Sequence, residues 1–149
     1  MNPPIAIRVA LLGNPNTGKT TLFNALAGLN HRTGNYPGVT VEVKKGKGIH
    51  GVTPIEWIDL PGTYSLAARS PDEMLAVDLI LGRIAGEPKP DVLLCLADAT
   101  NLERNLYLIS QARELGLPIV VALTMNDLAE SQAITVDLAR LELGLGLPV

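Results

Sequence analysis

Gly13-Asn14-Pro15-Asn16-Thr17-Gly18-Lys19-Thr20 fits the phosphate-loop pattern G-x-x-x-x-G-K-[ST] at every fixed position. It lies between an apolar run, Ile5 to Leu12 broken only by Arg8, and a helix-like segment, Thr21 to Leu29. A polyphosphate is densely anionic, so its cradle needs several backbone N–H groups converging on it. Glycines at 13 and 18 let the backbone turn tightly and approach closely. The helix that follows offers unpaired N–H groups and the positive end of its dipole. Lys19 is placed to reach the outer phosphates and the Thr20 hydroxyl to ligate Mg2+. A strand, this loop and a helix in succession predict an α/β fold.

Composition agrees. At 149 residues the chain is read as one domain, 1–149, long enough to bury a core. Hydrophobic residues at 47% against 18% charged suit a buried parallel sheet, and 3% aromatic content makes the core aliphatic. A net charge of −3 and the lack of a Lys/Arg cluster argue against nucleic acid as a partner. Cys95, the single cysteine, excludes an intramolecular disulfide and sits in an apolar run as a core residue. The N-terminus lacks a signal-peptide layout, and no apolar run approaches the about 20 residues of a membrane span. These features predict a soluble, cytoplasmic-type domain.

The remaining elements follow from periodicity. Residues 5–12 predict a buried strand and 18–29 a helix. Residues 30–39, with two glycines, a proline and no period, predict a loop. Thr40 to Ile49 and Thr53 to Asp59 predict an antiparallel hairpin at the sheet edge. Asp72 to Ile84 predicts a helix, with Ser70, Pro71 and Glu73 as cap, first helical residue and capping-box partner. Asp91 to Ala99 and Pro118 to Met125 predict buried strands. Asn101 to Leu115 predicts a helix capped by Thr100 or Asn101, and Val136 to Leu143 an amphipathic last helix. Gly144 to Val149 resembles the turn that launches one more strand. The sum is a three-layer α/β fold whose sheet is mostly parallel, with one antiparallel edge hairpin.

A phosphate loop alone does not separate kinase from GTPase. Asp59-Leu60-Pro61-Gly62 ends a predicted strand. There a carboxylate can hold Mg2+ through water and a glycine N–H can bond a γ-phosphate. Thr40, in the loop after the first helix, is able to complete the metal's shell. Two loops answering to one phosphate form a switch.

Four stretches in this order resemble the N-terminal G domain of the FeoB family of ferrous iron transporters, across about Ile7 to Val149. They are G-N-P-N-T-G-K-T-T-L-F-N, G-N-Y-P-G-V-T-V-E, D-L-P-G-T-Y-S-L and D-A-T-N-L-E-R-N-L-Y-L, the last being the most discriminating. The resemblance implies a Ras-like P-loop GTPase fold that binds GTP and GDP. It implies a place at the cytoplasmic face of the bacterial inner membrane, coupled to helical and transmembrane domains of a parent transporter that admits Fe2+. It admits self-association through the G domain. It assigns nucleotide contacts to Gly13, Asn14, Pro15, Asn16, Thr17, Gly18, Lys19, Thr20 and Thr21. Further contacts fall to Gly38, Val39 and Thr40, to Asp59, Leu60, Pro61 and Gly62, and to Thr124, Met125 and Asp127. Mg2+ falls to Thr20, Thr40 and Asp59. Catalysis falls to Asn16, Lys19, Thr40 and Gly62, with Asn16 and the carbonyls of Gly34 and Tyr36 holding K+ in place of an arginine finger. Position 63, where Ras-like enzymes carry a water-orienting glutamine, is Thr63, so hydrolysis is expected to be slow. Arg32 and Arg69 are read as solvated. Asp72 and Glu73 match acidic positions that tune the second switch in the family, and helix capping explains them equally well.

Two departures qualify the resemblance. The base-reading motif N-x-x-D appears as Thr124-Met125-Asn126-Asp127. Threonine lacks the amide's paired donor and acceptor, which puts the brace on the phosphate loop and the choice of base in doubt. One lost neutral hydrogen bond is worth roughly 1 kcal/mol, about fivefold in affinity. Family G domains also continue into another strand, a guanine-contacting loop and a final helix, so the domain is expected to be C-terminally truncated, with apolar surface exposed beside the last strand. Two other readings stand beside the GTPase. One is a nucleotide-gated binding module with incidental turnover. The other is a ribosome- or tRNA-linked GTPase, disfavoured by charge and by D-A-T-N-L-E-R-N.

Overall fold

A computed structural model describes residues 5–28, 31–36, 38 and 40–149. Its central strand is β1 (Ile7–Leu12), whose last four residues are buried because neighbouring strands and helices cover both faces. The phosphate loop leads from it into α1 (Lys19–Ala27). Next come β2 (His31–Asn35), β3 (Glu42–His50), β4 (Thr53–Asp59) and α2 (Pro71–Ile80). The chain continues through β5 (Val92–Asp98), α3 (Leu102–Arg113), β6 (Ile119–Thr124), α4 (Asn126–Ser131) and α5 (Leu138–Leu145). The sheet order is β2-β3-β4-β1-β5-β6. β1 runs parallel to β4 and β5, and β5 to β6, while β2, β3 and β4 are antiparallel.

Helices cover both faces, giving the three expected layers. On one face Phe23 and Ala27 of α1, four residues apart, pack on Leu11 and Leu96. On the other, Leu75 and Leu79 of α2 and Leu108 and Ile109 of α3 pack on Ala10, Leu12, Leu93 and Cys95. Cys95 is a core residue, as expected, and burial pushes its thiol up to about 12, which removes it as a nucleophile.

Three expectations need correction, and one element was not expected at all. The last helix, expected over Val136 to Leu143, runs Leu138–Leu145 behind Asp137, whose side chain accepts from the Arg140 N–H. Part of the expected loop 30–39 is a strand: β2 pairs with β3 from His31↔Gly46 to Asn35↔Glu42. All five of its residues are exposed, so it carries no apolar alternation to read. The predicted helix 72–84 begins at Pro71 behind an intact capping box and stops at Ile80. Gly82, at φ 70, turns the chain out of the helix where apolar periodicity alone would continue it. A short helix, α4, stands where no period announces one. Leu29, Asn30, Pro37 and Val39 lie outside the described residues. Gly144 and Leu145, expected in a turn, still belong to α5, and beyond the helix the Val121 N–H donates to the Pro148 carbonyl at 2.8 Å, which brings the chain beside β6 at that point.

Candidate nucleotide site

Where β1 ends, seven loop and helix residues line a cavity of about 520 Å³: Asn14, Pro15, Asn16, Gly18, Lys19, Thr20 and Thr21. Gly62 and Met125 close it from neighbouring segments. Gly18 adopts φ 82, a left-handed conformation costly for any residue with a Cβ, and this lets the loop turn straight into α1. Asn16 is also left-handed, at φ 61, in a conformation asparagine tolerates better than most residues, and is exposed at the rim. Thr17 faces inward and donates its hydroxyl to the Asn14 carbonyl at 2.8 Å, which pins the loop's curvature. Gly13 is buried behind the cradle. Asn14 is 3% exposed, yet neither amide atom of its side chain has a hydrogen-bond partner. A buried unpaired amide is expensive, and at the wall of this cavity it suits a polar guest.

The electrostatics are built around one pair. The Lys19 ammonium contacts the Asp59 carboxylate, and both side chains are about nine-tenths buried. Asp59 ends β4 opposite Leu11, and Leu60 is wholly buried core whose N–H donates to the Leu11 carbonyl at 3.2 Å. Pro61 is partly buried. Gly62 then passes so close to the phosphate loop that a Cβ there would lie 3.1 Å from Pro15 Cα. The Thr63 N–H donates to the Gly13 carbonyl at 3.1 Å, so the second switch starts in contact with the phosphate loop. The Thr63 side chain is 5% exposed and gives its hydroxyl to the Ser65 carbonyl at 2.7 Å. Thr63 is not among the residues that line the cavity.

The residues expected from the loop after α1, Gly34, Tyr36, Gly38 and Thr40, are not gathered at this cavity. Gly34 and Tyr36 line a second cavity, about 280 Å³, with Arg32, Val43 and Lys45 among its walls. Pairing of Gly34 with Val43 and packing of Tyr36 on the core hold them there, with the Lys45 ammonium 5.2 Å from the Tyr36 ring centroid. Gly38, at φ 77, and Thr40 are exposed. Val39 lies outside the described residues. Arg32 and Arg69 are exposed.

At the base end the structure corrects one expectation. The Thr124 hydroxyl donates to the Thr17 carbonyl at 2.7 Å, so the brace on the phosphate loop is present despite the missing asparagine. Spacing cannot reveal a contact between residues 107 apart in the chain. Asn126 does not substitute for Thr124. Its amide donates to the Leu123 carbonyl at 3.0 Å in an exposed local turn. Met125, at φ 58, turns the chain into α4, and Asp127 is exposed in the first turn of that helix.

The donors fit one metal better than the other. The Thr20 hydroxyl and the Asp59 carboxylate are hard oxygens of the type Mg2+ takes alongside phosphate and water. Among the described residues there is no group of three or more His, Cys, Asp or Glu that could hold a metal by itself. For K+, Asn16 stands at the cavity while Gly34 and Tyr36 stand at the other, so the expected set is not assembled in this conformation.

Comparison with known proteins places the chain. The family model described as ferrous iron transport protein B matches residues 7–149. The chain is 50% identical over 143 residues to the Fe(2+) transport protein A/Fe(2+) transporter FeoB fusion protein of Porphyromonas gingivalis, covering 96% of this chain and 16% of that protein. It is 50% identical to the Fe(2+) transporter FeoB of Legionella pneumophila, covering 93% and 18%. The chain thus spans less than a fifth of these relatives. Among solved structures it resembles the cytosolic domain of the T. maritima FeoB iron transporter in a GDP form, at TM-score 0.89 and 41% identity, covering 97% of this chain and 55% of that one. It also resembles the FeoB G-domain of Methanococcus jannaschii, at TM-score 0.81 and 41% identity, covering 97% and 83%.

Proposed function

The chain belongs to the FeoB family of ferrous iron transport proteins, and from that premise we propose that it is a GTP-binding, slowly GTP-hydrolysing switch domain. The observation that carries the reading is the cradle itself: a left-handed Gly18, a Lys19–Asp59 pair and Gly62 against Pro15, all at one cavity. Lys19 exchanges its carboxylate partner for phosphate oxygens, which frees Asp59, with the Thr20 hydroxyl, to hold Mg2+. The bound metal supplies neutralisation of charge on the phosphates. The Gly62 N–H reads the γ-phosphate. Turnover is slow because Thr63 turns its hydroxyl inward and offers nothing to an attacking water. Stimulation by K+ rests on Asn16 at the rim and on the family resemblance. It requires the first switch to leave β2 and bring Gly34, Tyr36 and Thr40 across. In the parent protein the switch acts on helical and transmembrane parts at the cytoplasmic face of the inner membrane. Among the described residues no helix is long and apolar enough to cross a membrane.

Base selection is proposed to be relaxed. The only hydroxyl proton of Thr124 is committed to the Thr17 carbonyl, so guanine is left to Asp127. The test of the main reading is steady-state phosphate release from GTP with Mg2+ in KCl and in NaCl, beside Lys19→Ala. The expected result is slow turnover, stimulated about tenfold or more by KCl and abolished in Lys19→Ala. GTP binding without turnover in either salt supports the nucleotide-gated binding module instead, and absence of GTP binding overturns both.

A further inference from the structure

The segment D-A-T-N-L-E-R-N discriminates this family most sharply, yet none of its residues lines the phosphate cavity. Part of it builds a joint. Asp98 Oδ1 accepts from the Thr100 N–H at 2.8 Å and from the Thr100 hydroxyl at 2.6 Å. The Asn101 N–H donates to the Asp98 carbonyl at 3.0 Å, and buried Asn105 donates its amide to the Asn101 carbonyl at 2.7 Å. These bonds turn the end of β5 into α3 and fix where α3 points. They leave Arg104 exposed on the helix, with its guanidinium carbon 4.0 Å from the centroid of the Tyr64 ring. Gln111 lies seven residues further on, hence two turns along and on the same face. Its Oε1 accepts the Leu66 N–H at 2.8 Å. Tyr64 and Leu66 both belong to the second switch, just beyond Gly62.

We propose that this face of α3 is the seat of the second switch, and that Arg104 and Gln111 are positioning residues for γ-phosphate recognition by Gly62. The proposal rests on the GTPase reading above. The segment is held at three places. At its start, Thr63 bonds Gly13. In the middle, Tyr64 and Leu66 sit on α3. At its end, Glu73 accepts from the Ser65 hydroxyl at 2.9 Å and from the Arg69 N–H at 2.8 Å. The middle contact is lighter than the core: one cation over a half-exposed ring, one side-chain acceptor on a backbone N–H, and the partly buried Leu66 side chain at the core's margin. It can open without unfolding the sheet. Such a contact holds the Gly62 amide in line while docked and lets it go when released.

Hydrogen exchange and nucleotide kinetics on the full chain decide it. In Gln111→Leu the Leu66 amide should exchange faster, whereas Gln111→Glu, which keeps an acceptor, should retain protection. Arg104→Ala and Tyr64→Ala should each lower kcat for GTP by about threefold and leave GDP affinity unchanged, because GDP has no γ-phosphate for Gly62 to read. Tyr64→Phe keeps the ring and should match the wild type, and the double variant Arg104→Ala/Tyr64→Ala should be no worse than either single one. Unchanged Leu66 exchange in Gln111→Leu overturns the seat. Equal losses of kcat and GDP affinity, or a Tyr64→Phe variant as slow as Tyr64→Ala, overturn the positioning role. The exchange measurement needs no nucleotide. A wild-type chain that protects Leu66 but does not hydrolyse GTP supports the seat and sinks the hydrolase reading.

Discussion

Thr124 shows how much one side chain decides at this site. A single hydroxyl bond to the Thr17 carbonyl holds the phosphate loop to the end of β6, where an asparagine would offer a donor pair and an acceptor. Thr124→Val preserves shape and removes the bond. Titration with GTP and ATP analogues should show both weakened by about fivefold, the worth of one neutral hydrogen bond. Thr124→Asn should tighten GTP more than ATP. If it tightens the two equally, base choice does not pass through this position. The sequence alone marks position 124 as a departure, because motif spacing is local information. That the hydroxyl reaches Thr17 is tertiary information, which no spacing carries. The same holds for Asn14. Its place in the motif is legible, but its burial with both amide atoms unpaired is not. At Gly62 the motif identified the residue, and the structure adds a reason: a Cβ there would crowd Pro15 Cα at 3.1 Å and push the phosphate loop back by a few tenths of an ångström.

Elements were legible where their signals are local and strong. α2 is the clearest: Ser70 accepts from the Glu73 N–H at 3.2 Å, and the Glu73 carboxylate accepts from the Ser70 N–H at 3.2 Å, with Pro71 first in the helix. Glu73 thus serves as a capping residue and, through Ser65, as the rear anchor of the second switch. N–H bonds from Arg69 first, then the Ser65 hydroxyl, hold its carboxyl below the usual carboxylate range. Removing the cap with Ser70→Ala should cost about 1 kcal/mol, read as a lower urea midpoint at constant m-value. A changed m-value would mean that the segment before α2 had come loose as well. β2 was not legible because its pairing is its whole identity. Exposed His31-Arg32-Thr33-Gly34-Asn35 has no face to bury and is a strand only because β3 lies beside it. α4 escaped notice for a different reason, since six residues are too few to show a period.

At the scale of the molecule the layered sheet was the legible part. Its central strands are buried on both faces and read as continuous apolar runs, and helical periods fill the gaps between them. The charge cluster that ties β1, β3 and β4 to the turn before β5 was not legible, because its members are distant in sequence. In it Arg8 of β1 forms an ion pair with Glu56 of β4 at 2.7 Å, and both Arg8 and Lys45 of β3 contact the carboxylate of Glu87 in the turn before β5. Burial alone would raise the Glu87 pKa, but the hydrogen bonds from Lys45 and Arg8 outweigh it and hold the carboxyl below its ordinary value. Burial alone would lower the Lys45 pKa, and the bond to Glu87 holds it above the ordinary value instead. The signs set a window. The Glu87 contribution is complete above an unfolded pKa of about 4.3 and is lost as pH falls through the lower folded value. The Lys45 contribution is complete below about 10.4 and is lost as pH rises through the higher folded value. Stability from the cluster should therefore be flat between these limits and fall outside them. Glu87→Gln leaves Lys45 without its anion and Arg8 with Glu56 and the Pro88 carbonyl. Since Lys45 is 28% exposed, the cost should be below that of breaking a fully buried pair, about 2 kcal/mol, a fall in Tm of about 5 °C near neutral pH. The variant should also lose part of the acid limb. Thermal melts of the two chains from neutral pH down past the carboxylate range should therefore converge. Curves that stay parallel to the lowest pH would place the acid sensitivity in other carboxylates and reduce the cluster to a pH-independent contact.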